Sequence, residues 1–380
     1  MDIDSFGGNF SENYFRRGAA FTFSDFCARI GCMKKKNLLH KLRNHLSKEE
    51  ALKRLEQEDF KRIVVSFYRY VLISDPKELR NELFSEWSAL GCFGRIYLST
   101  EGINAQMSVP EPKWQEFQEK LYARKEFKDV PFKVGVEQKN DAFWKLTIKV
   151  RHQIVADGLK KEEYDVTNVG THLTAKEWNE LSLNPDTVVV DMRNNYESAI
   201  GRFEGAITPD AYTFKEELPM VKEQLAGNEE KKVLLYCTGG IRCEKASAYL
   251  KHHGFKDVNQ LHGGIIDYKH QIEREGLPSK FKGKNFVFDE RIGERITEDV
   301  LGVCYQCSEA CDDYTNCANV ACNLLFIQCT ACAEKFSGAC SAECQSIVHL
   351  SEAEQKEYRK IRGNEKVHEP YQKKIALSRA

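Results

Sequence analysis

Leu234-Leu235-Tyr236-Cys237-Thr238-Gly239-Gly240-Ile241-Arg242-Cys243-Glu244-Lys245 is the stretch that decides the fold. An apolar run ends at a cysteine, two glycines permit a tight loop, and a helix pattern begins on the far side. A strand-to-helix junction of this kind turns backbone N–H groups inward and sets a helix N-terminus behind them, which makes a cradle for negative charge. Thr238, Gly239, Gly240, Ile241 and Cys243 form that cradle around Cys237. A thiol held there has its thiolate stabilised, so Cys237 is expected to be nucleophilic at neutral pH. Arg242 adds a fork-shaped cation, expected to hold an anionic group against the sulfur. Cys243 reads either as a second thiol that resolves an oxidised Cys237 or as a buried helix cysteine.

Around this loop, strands (188–191, 232–236, 258–261) alternate with helices (214–225, 242–253, 264–275). The strands are apolar without alternation, the mark of a parallel sheet covered on both faces, so residues 172–278 read as a parallel α/β domain. Upstream, 63–73, 94–99, 103–108, 132–136 and 144–150 read as strands, and helices start at Asp75-Pro76 and run over 110–124. The order β-α-β-β-α-β predicts a ferredoxin-like α+β domain over 61–152. Residues 153–171 are polar and read as linker. Residues 1–60 form an N-terminal extension with a basic helical stretch, in which Lys34, Lys35 and Lys36 are either solvated surface or a phosphate contact. A cysteine-rich element (279–349) and a charged tail (350–380) close a multidomain α/β chain with no repeat at a fixed period.

The 380 residues carry 56 Lys and Arg against 57 Asp and Glu, so a nucleic-acid partner has to be held by a local patch. Lys145, Lys149 and Arg151 alternate in sequence and share one strand face, either as such a patch or as an ordinary solvated face. The longest apolar runs fall far short of the ~20 residues of a membrane span, which excludes an integral membrane protein of that kind. Residues 1–15 lack the basic-apolar-small pattern of a secretory leader, so a cytoplasmic protein is expected. There are 14 cysteines, nine of them between Cys304 and Cys344. In a reducing compartment that density reads as metal or thiol chemistry before disulfides. Cys304-x2-Cys307 and Cys329-x2-Cys332 match a four-thiolate structural zinc site, with reduced thiols or redox-labile disulfides as the other readings. Cys311, Cys317, Cys322, Cys340 and Cys344 leave the pairing open, and the apolar run 324–327 is expected to pack the element onto the α/β domain. No motif for an organic cofactor is present.

The Cys237 loop resembles the active-site loop of rhodanese-like domains. Val188-Val189-Val190-Asp191-Met192-Arg193, Tyr196-Glu197, Gly201-Arg202-Phe203-Glu204-Gly205-Ala206 and Leu261-His262-Gly263-Gly264 agree with that family. Arg202-Phe203-Glu204 replaces its His-Ile-Pro, and Thr238 stands where many sulfurtransferases carry Arg, which removes a cation that helps bind thiosulfate. Leu98-Ser99-Thr100-Glu101-Gly102-Ile103-Asn104-Ala105, the Cys237 loop, and Asn316-Cys317-Ala318-Asn319 with Cys322-Asn323-Leu324-Leu325-Phe326-Ile327-Gln328-Cys329-Thr330-Ala331-Cys332 together resemble the bacterial tRNA uridine hydroxylase family. The resemblance implies an oxidoreductase acting on tRNA that converts wobble uridine to 5-hydroxyuridine with molecular oxygen. It makes Cys237 the catalytic cysteine, as thiolate or persulfide, with Arg242 shaping its loop. On this reading Arg193, Arg242 and Lys245 bring phosphate near the cysteine. Glu101 and Asn104 are either a hairpin turn or a substrate contact. The alternative function is a sulfurtransferase or persulfide carrier.

Overall fold

The computed structural model describes residues 46–159 and 164–362. Lys34, Lys35 and Lys36 lie outside the described residues. Helix α1 (Lys48–Glu56) starts at Ser47, whose hydroxyl accepts from the Glu50 amide while the Glu50 carboxylate reaches back to the Ser47 amide, which satisfies two donors that a helix start otherwise leaves open.

Strands β1 (Arg62–Tyr70), β2 (Phe93–Ser99), β3 (Gly102–Pro110), β4 (Lys133–Val134) and β5 (Leu146–Val150) form a sheet in the order β4-β1-β3-β2-β5. Only β2 and β5 are parallel neighbours, so the expected ferredoxin-like order is present with one further edge strand. Helices α2 (Pro76–Ala89) and α3 (Trp114–Tyr122) cover one face. Trp87 and Phe117 meet Phe67 of β1 there, at ring distances of 6.4 and 6.3 Å. Because side chains alternate along a strand, the other face collects polar and aromatic residues. In register, Tyr68, Asn104, Tyr97 and Lys149 make one row across it, and Ser66, Gln106, Arg95 and Thr147 the next.

The second body is built from β6 (Thr171–Leu173), α4 (Ala175–Leu181), β7 (Thr187–Asp191), α5 (Asn195–Ser198), β8 (Gly201–Phe203), α6 (Phe214–Gln224), β9 (Lys232–Tyr236), α7 (Ile241–His252), β10 (Asp257–Leu261) and α8 (Gly264–Glu275). Its sheet, β6-β10-β9-β7, is wholly parallel, and apolar clusters fill both faces. Phe203 occupies the centre of one, with rings of Tyr236, Tyr268, Trp178 and Phe281 at 4.7, 4.9, 5.0 and 5.3 Å. That packing accounts for an aromatic residue in the 202–204 turn. Strand β8 pairs with β11 (Phe281–Phe286), which pairs with β12 (Gly293–Arg295), so the chain past residue 278 remains attached to this body.

The described part of the polar stretch after β5 is a fastened strap and not a loose linker. Asp157 is 2 % exposed and accepts from Gln153, the Leu159 amide, Tyr164 and Lys245. The cysteine-rich element follows with β13 (Tyr314–Asn316) paired to β14 (Leu325–Ile327), then α9 (Thr330–Lys335), α10 (Ala342–Val348) and α11 (Glu352–Arg362). The strand expected at 324–327 is present, but Leu324 and Phe326 pack inside the element against Cys317, Ala339, Cys340 and Cys344. Polar contacts attach the element to the second body: Lys284 and Arg295 pair with Asp312, and the Tyr314 hydroxyl donates to the Tyr196 carbonyl at 2.9 Å.

Candidate active site

Strand β9 delivers Cys237 at its C-terminal end, and the loop turns at Gly240 (φ 95°), in the left-handed region where glycine is unstrained. The Gly240 amide then donates to Cys237 Sγ at 3.1 Å. Gly264 (φ 68°) opens α8 directly beneath, and a Cβ there would sit 2.5 Å from the Cys237 carbonyl oxygen. Only glycine lets α8 approach the loop this closely.

Cys237 is 1 % exposed. Burial alone would push its thiol up, but hydrogen bonding from Cys243, the Arg242 charge, and the Cys243 and Arg242 backbone amides outweigh it and hold the thiol down at about 6. Cys243, pushed well up by burial and by that hydrogen bond, remains a neutral donor. Cys243 is thus a buried helix cysteine that stabilises its neighbour, and its contact with the Cys237 sulfur is also the one a resolving thiol requires.

Arg242 does not stand free to bind an anion. Its guanidinium grips Glu197 of α5 in two hydrogen bonds of 2.6 and 2.8 Å, and Glu197 is fully buried. Arg242 therefore braces the loop and supplies positive charge near the sulfur. Arg193 is also removed from a phosphate-binding role: it is fully buried and bonded to Asp191 and the Gly201 carbonyl. Lys245, 1 % exposed, pairs with Glu101 and Asp157. Glu101 in turn accepts from the Ile154 amide at 2.6 Å. Lys245 and Glu101 clamp the first body, the strap and α7 together, and neither is placed to meet substrate.

The polar face of the first sheet closes over Cys237 and leaves a cavity of about 330 Å³, within the ~300–1,000 Å³ of small-ligand sites. Its wall includes Tyr68, Arg95, Tyr97, Asn104, Lys133 and Arg291 opposite Cys237, Thr238, Gly239 and Arg242. Of the expected substrate contacts, Asn104 lines it. Lys149 and Arg151 are exposed, Lys149 in the Tyr97 row and Arg151 with its guanidinium 5.8 Å from the Tyr97 ring. Lys145, exposed as well, lies over Trp144 at 4.3 Å.

Lys133 escaped the sequence reading, because a lone lysine on a two-residue edge strand carries no motif. Its ammonium lies 4.4 Å from the Tyr68 ring centre. Burial lowers it to about 8, against the opposing pull of Asp267, Cys237 and Glu244. Tyr68 is fixed by donating to Glu244 at 2.9 Å. A thiol held low by its loop and a buried ammonium therefore line the same cavity.

Three family models match in sequence: the UPF0176 acylphosphatase like domain over residues 62–154, the rhodanese-like domain over 174–271, and the rhodanase C-terminal region over 282–345. The tRNA uridine(34) hydroxylase of Leptospira interrogans is 54% identical over 331 residues, covering 87% of this chain and 89% of that protein. The tRNA uridine(34) hydroxylase of Yersinia enterocolitica is 49% identical, covering 85% and 93%. Among solved structures, the polysulfide-sulfur transferase of Wolinella succinogenes matches 29% of this chain and 77% of that chain at 24% identity and a TM-score of 0.23. With relatives this similar over nearly their whole length, the chain belongs to the tRNA uridine(34) hydroxylase family.

Proposed function

We propose that this protein hydroxylates C5 of uridine 34 in tRNA, in the cytoplasm, with molecular oxygen as co-substrate and Cys237 as the reacting group. The observation that carries the reading is a buried thiol held at about 6 in a cavity roofed by a second domain, in a family whose members bear that name. Thiolate addition to C6 of uracil moves an electron pair toward C5 and makes that carbon nucleophilic toward oxygen. The C5 carbanion takes up O₂ and a proton to give a hydroperoxide. Two equivalents of a thiol reductant convert it to the hydroxyl and water, leaving as a disulfide. Loss of the C5 proton then expels the Cys237 thiolate. The sum is uridine, O₂ and two thiols giving 5-hydroxyuridine, water and a disulfide. Lys133 suits the enolate oxygen that develops on addition, since a cation fixed in a desolvated site is worth more there than in water.

A thiosulfate transferase would need the loop's own cation for its anionic substrate, and Arg242 is committed to Glu197. Uridine-34-unmodified tRNA incubated with purified protein, thiol and ¹⁸O₂ should yield singly labelled 5-hydroxyuridine by nucleoside mass spectrometry. Cyanide-dependent thiocyanate formation from thiosulfate, with no hydroxylated nucleoside, would reverse the assignment. In the cysteine-rich element we assign a structural zinc to Cys304, Cys307, Cys329 and Cys332, whose sulfurs lie within 4.8 Å of one another. Four protein thiolates close the coordination sphere, so the ion would supply folding energy and no open site. Among the described residues no helix is long and apolar enough to cross a membrane.

A further inference from the structure

The five cysteines left over from that site are not scattered. Cys317, Cys322, Cys340 and Cys344 also converge, with all four sulfurs within 4.8 Å of one another. Cys322 and Cys340 sulfurs are 3.8 Å apart, and those of Cys340 and Cys344 3.7 Å, matching the 3.7 Å between Cys307 and Cys329 in the first set. A tetrahedron with zinc–sulfur bonds of ~2.3 Å has edges of about 3.8 Å, whereas a disulfide brings its sulfurs to ~2.05 Å. The spacing is that of ligands around one small ion.

The second set also repeats the build of the first. In each, the residue after the second cysteine adopts a left-handed backbone, Ser308 at φ 64° and Asn323 at φ 47°. In each, the amide of the third cysteine donates to the sulfur of the first: Cys329 to Cys304 and Cys340 to Cys317, both at 3.4 Å. In each, the fourth cysteine lies in a short helix, Cys332 in α9 and Cys344 in α10. Asn319 further donates to Cys344 Sγ at 3.4 Å, the sort of outer-shell donor that supports a thiolate ligand. Along the chain the two sets alternate pair by pair, 304 and 307, 317 and 322, 329 and 332, 340 and 344. Each ion would therefore fasten segments that the other set interrupts.

We propose that Cys317, Cys322, Cys340 and Cys344 bind a second zinc ion, and that the two ions cross-brace the element. Cys311, buried but in neither set, is the ninth thiol and explains the odd count. The site extends the zinc assignment made above and is independent of the hydroxylase chemistry.

Native mass spectrometry of the full chain, purified without chelator from zinc-supplied cells, should give about two zinc ions per chain. Peptide mapping after alkylation should find all eight ligand thiols protected until a chelator is added. The double variant Cys317→Ser/Cys344→Ser should drop to about one zinc and keep Cys304, Cys307, Cys329 and Cys332 protected. Should that variant fail to fold, the wild-type count and map still decide. One zinc per chain with Cys317, Cys322, Cys340 and Cys344 alkylated overturns the second site and leaves the first. No zinc with all eight alkylated overturns both.

Discussion

Cys237 rests on two apolar clusters that include Val190, Leu235, Phe255 and Val258 on one side of the sheet and Trp178, Phe203, Tyr236 and Tyr268 on the other. The clustered thiols of the cysteine-rich element have only small apolar groups around them, Leu324, Phe326 and Ala339 by one set and Ile327 and Phe336 by the other. In the first region the fold exists without the sulfur, and the sulfur is left to react. In the second the sulfurs are the core, since an element of this size buries too little apolar surface to hold itself together. Replacing a cysteine should therefore have opposite consequences in the two regions.

The largest effect is expected from Cys237→Ser. A serine hydroxyl is not ionised at neutral pH, so product formation should fall by at least ~10³-fold. Cys237 is one small member of its apolar cluster, and serine is close to it in size and can still accept from the Gly240 amide, so the melting temperature should stay within about 2 °C of wild type. Residual 5-hydroxyuridine above ~1% of wild type, measured by nucleoside mass spectrometry, would move the chemistry to another group.

Lys133→Met should come next, lowering turnover by ~10²-fold, in the range of one lost electrostatic contact to a developing oxyanion. The pH profile separates this role from packing. Activity needs Cys237 deprotonated, a rising limb near 6, and Lys133 protonated, a falling limb near 8. Lys133→Met should abolish the falling limb and, because the ammonium and the thiolate favour each other, move the rising limb upward. Arg242→Ala should move the rising limb upward by removing positive charge beside the thiolate, and should destabilise by ~3–5 kcal/mol because Glu197 is left buried and unpaired. Arg242→Lys restores charge but not the two-pronged grip. Unchanged limbs in all three variants would remove both residues from the reaction.

A third test uses the contact between the two regions. Tyr314 lies between the cysteine pairs and donates to the Tyr196 carbonyl beside Glu197, and Phe286 packs on both tyrosine rings at 5.2 and 5.7 Å. Stripping metal should expose the eight ligand thiols while the rhodanese body stays folded, because its core is its own. Turnover should nevertheless fall by several-fold, about 1 kcal/mol of lost positioning. Tyr314→Phe should reproduce part of that loss with metal still bound. Full activity in stripped protein would show that the element does not reach the loop.

Local patterns carried the fold. The strand and helix patterns of two sheets, a strand-glycine-helix junction and a cysteine density are each visible within a few residues, and Cys237 with them. What stayed hidden was long-range pairing. Arg242 reads as an anion ligand until Glu197, 45 positions upstream, is found to hold it. Lys245 reads as a phosphate contact until Glu101 and Asp157 are seen to fold back on it from the first body and the strap. A charged side chain near a reactive cysteine has the same sequence signature whether it faces solvent or a buried partner. The interleaved cysteine pairs were obscured for a related reason: the two C-x2-C pairs stand out, while the wider Cys317-x4-Cys322 and Cys340-x3-Cys344 pairs are set between and after them, so sequence order does not say which pair joins which. Lys133 joins Cys237 in one cavity only when the polar face of one domain closes on the other.

The smallest expected effect on the rate of the bound complex concerns the exposed basic residues beside the cavity. Lys149 and Arg151 extend from Tyr97 on the same sheet face that roofs Cys237, so a tRNA whose base enters the cavity would run its backbone past them. Each phosphate neutralised releases counterions, giving a slope in log affinity against log salt of ~0.7 to 0.9 per contact. Lys149→Glu/Arg151→Glu should lower the slope by about two such contacts and weaken binding at ~0.1 M salt by roughly 10-fold or more. Lys145→Glu should do less, since Lys145 lies over Trp144, away from the Tyr97 row. The rate from the bound complex should stay within about 2-fold, because no variant touches the Cys237 loop. A double variant with wild-type slope would make this strand face ordinary solvated surface, and the search for the tRNA path would turn to the exposed Arg95 in the cavity wall.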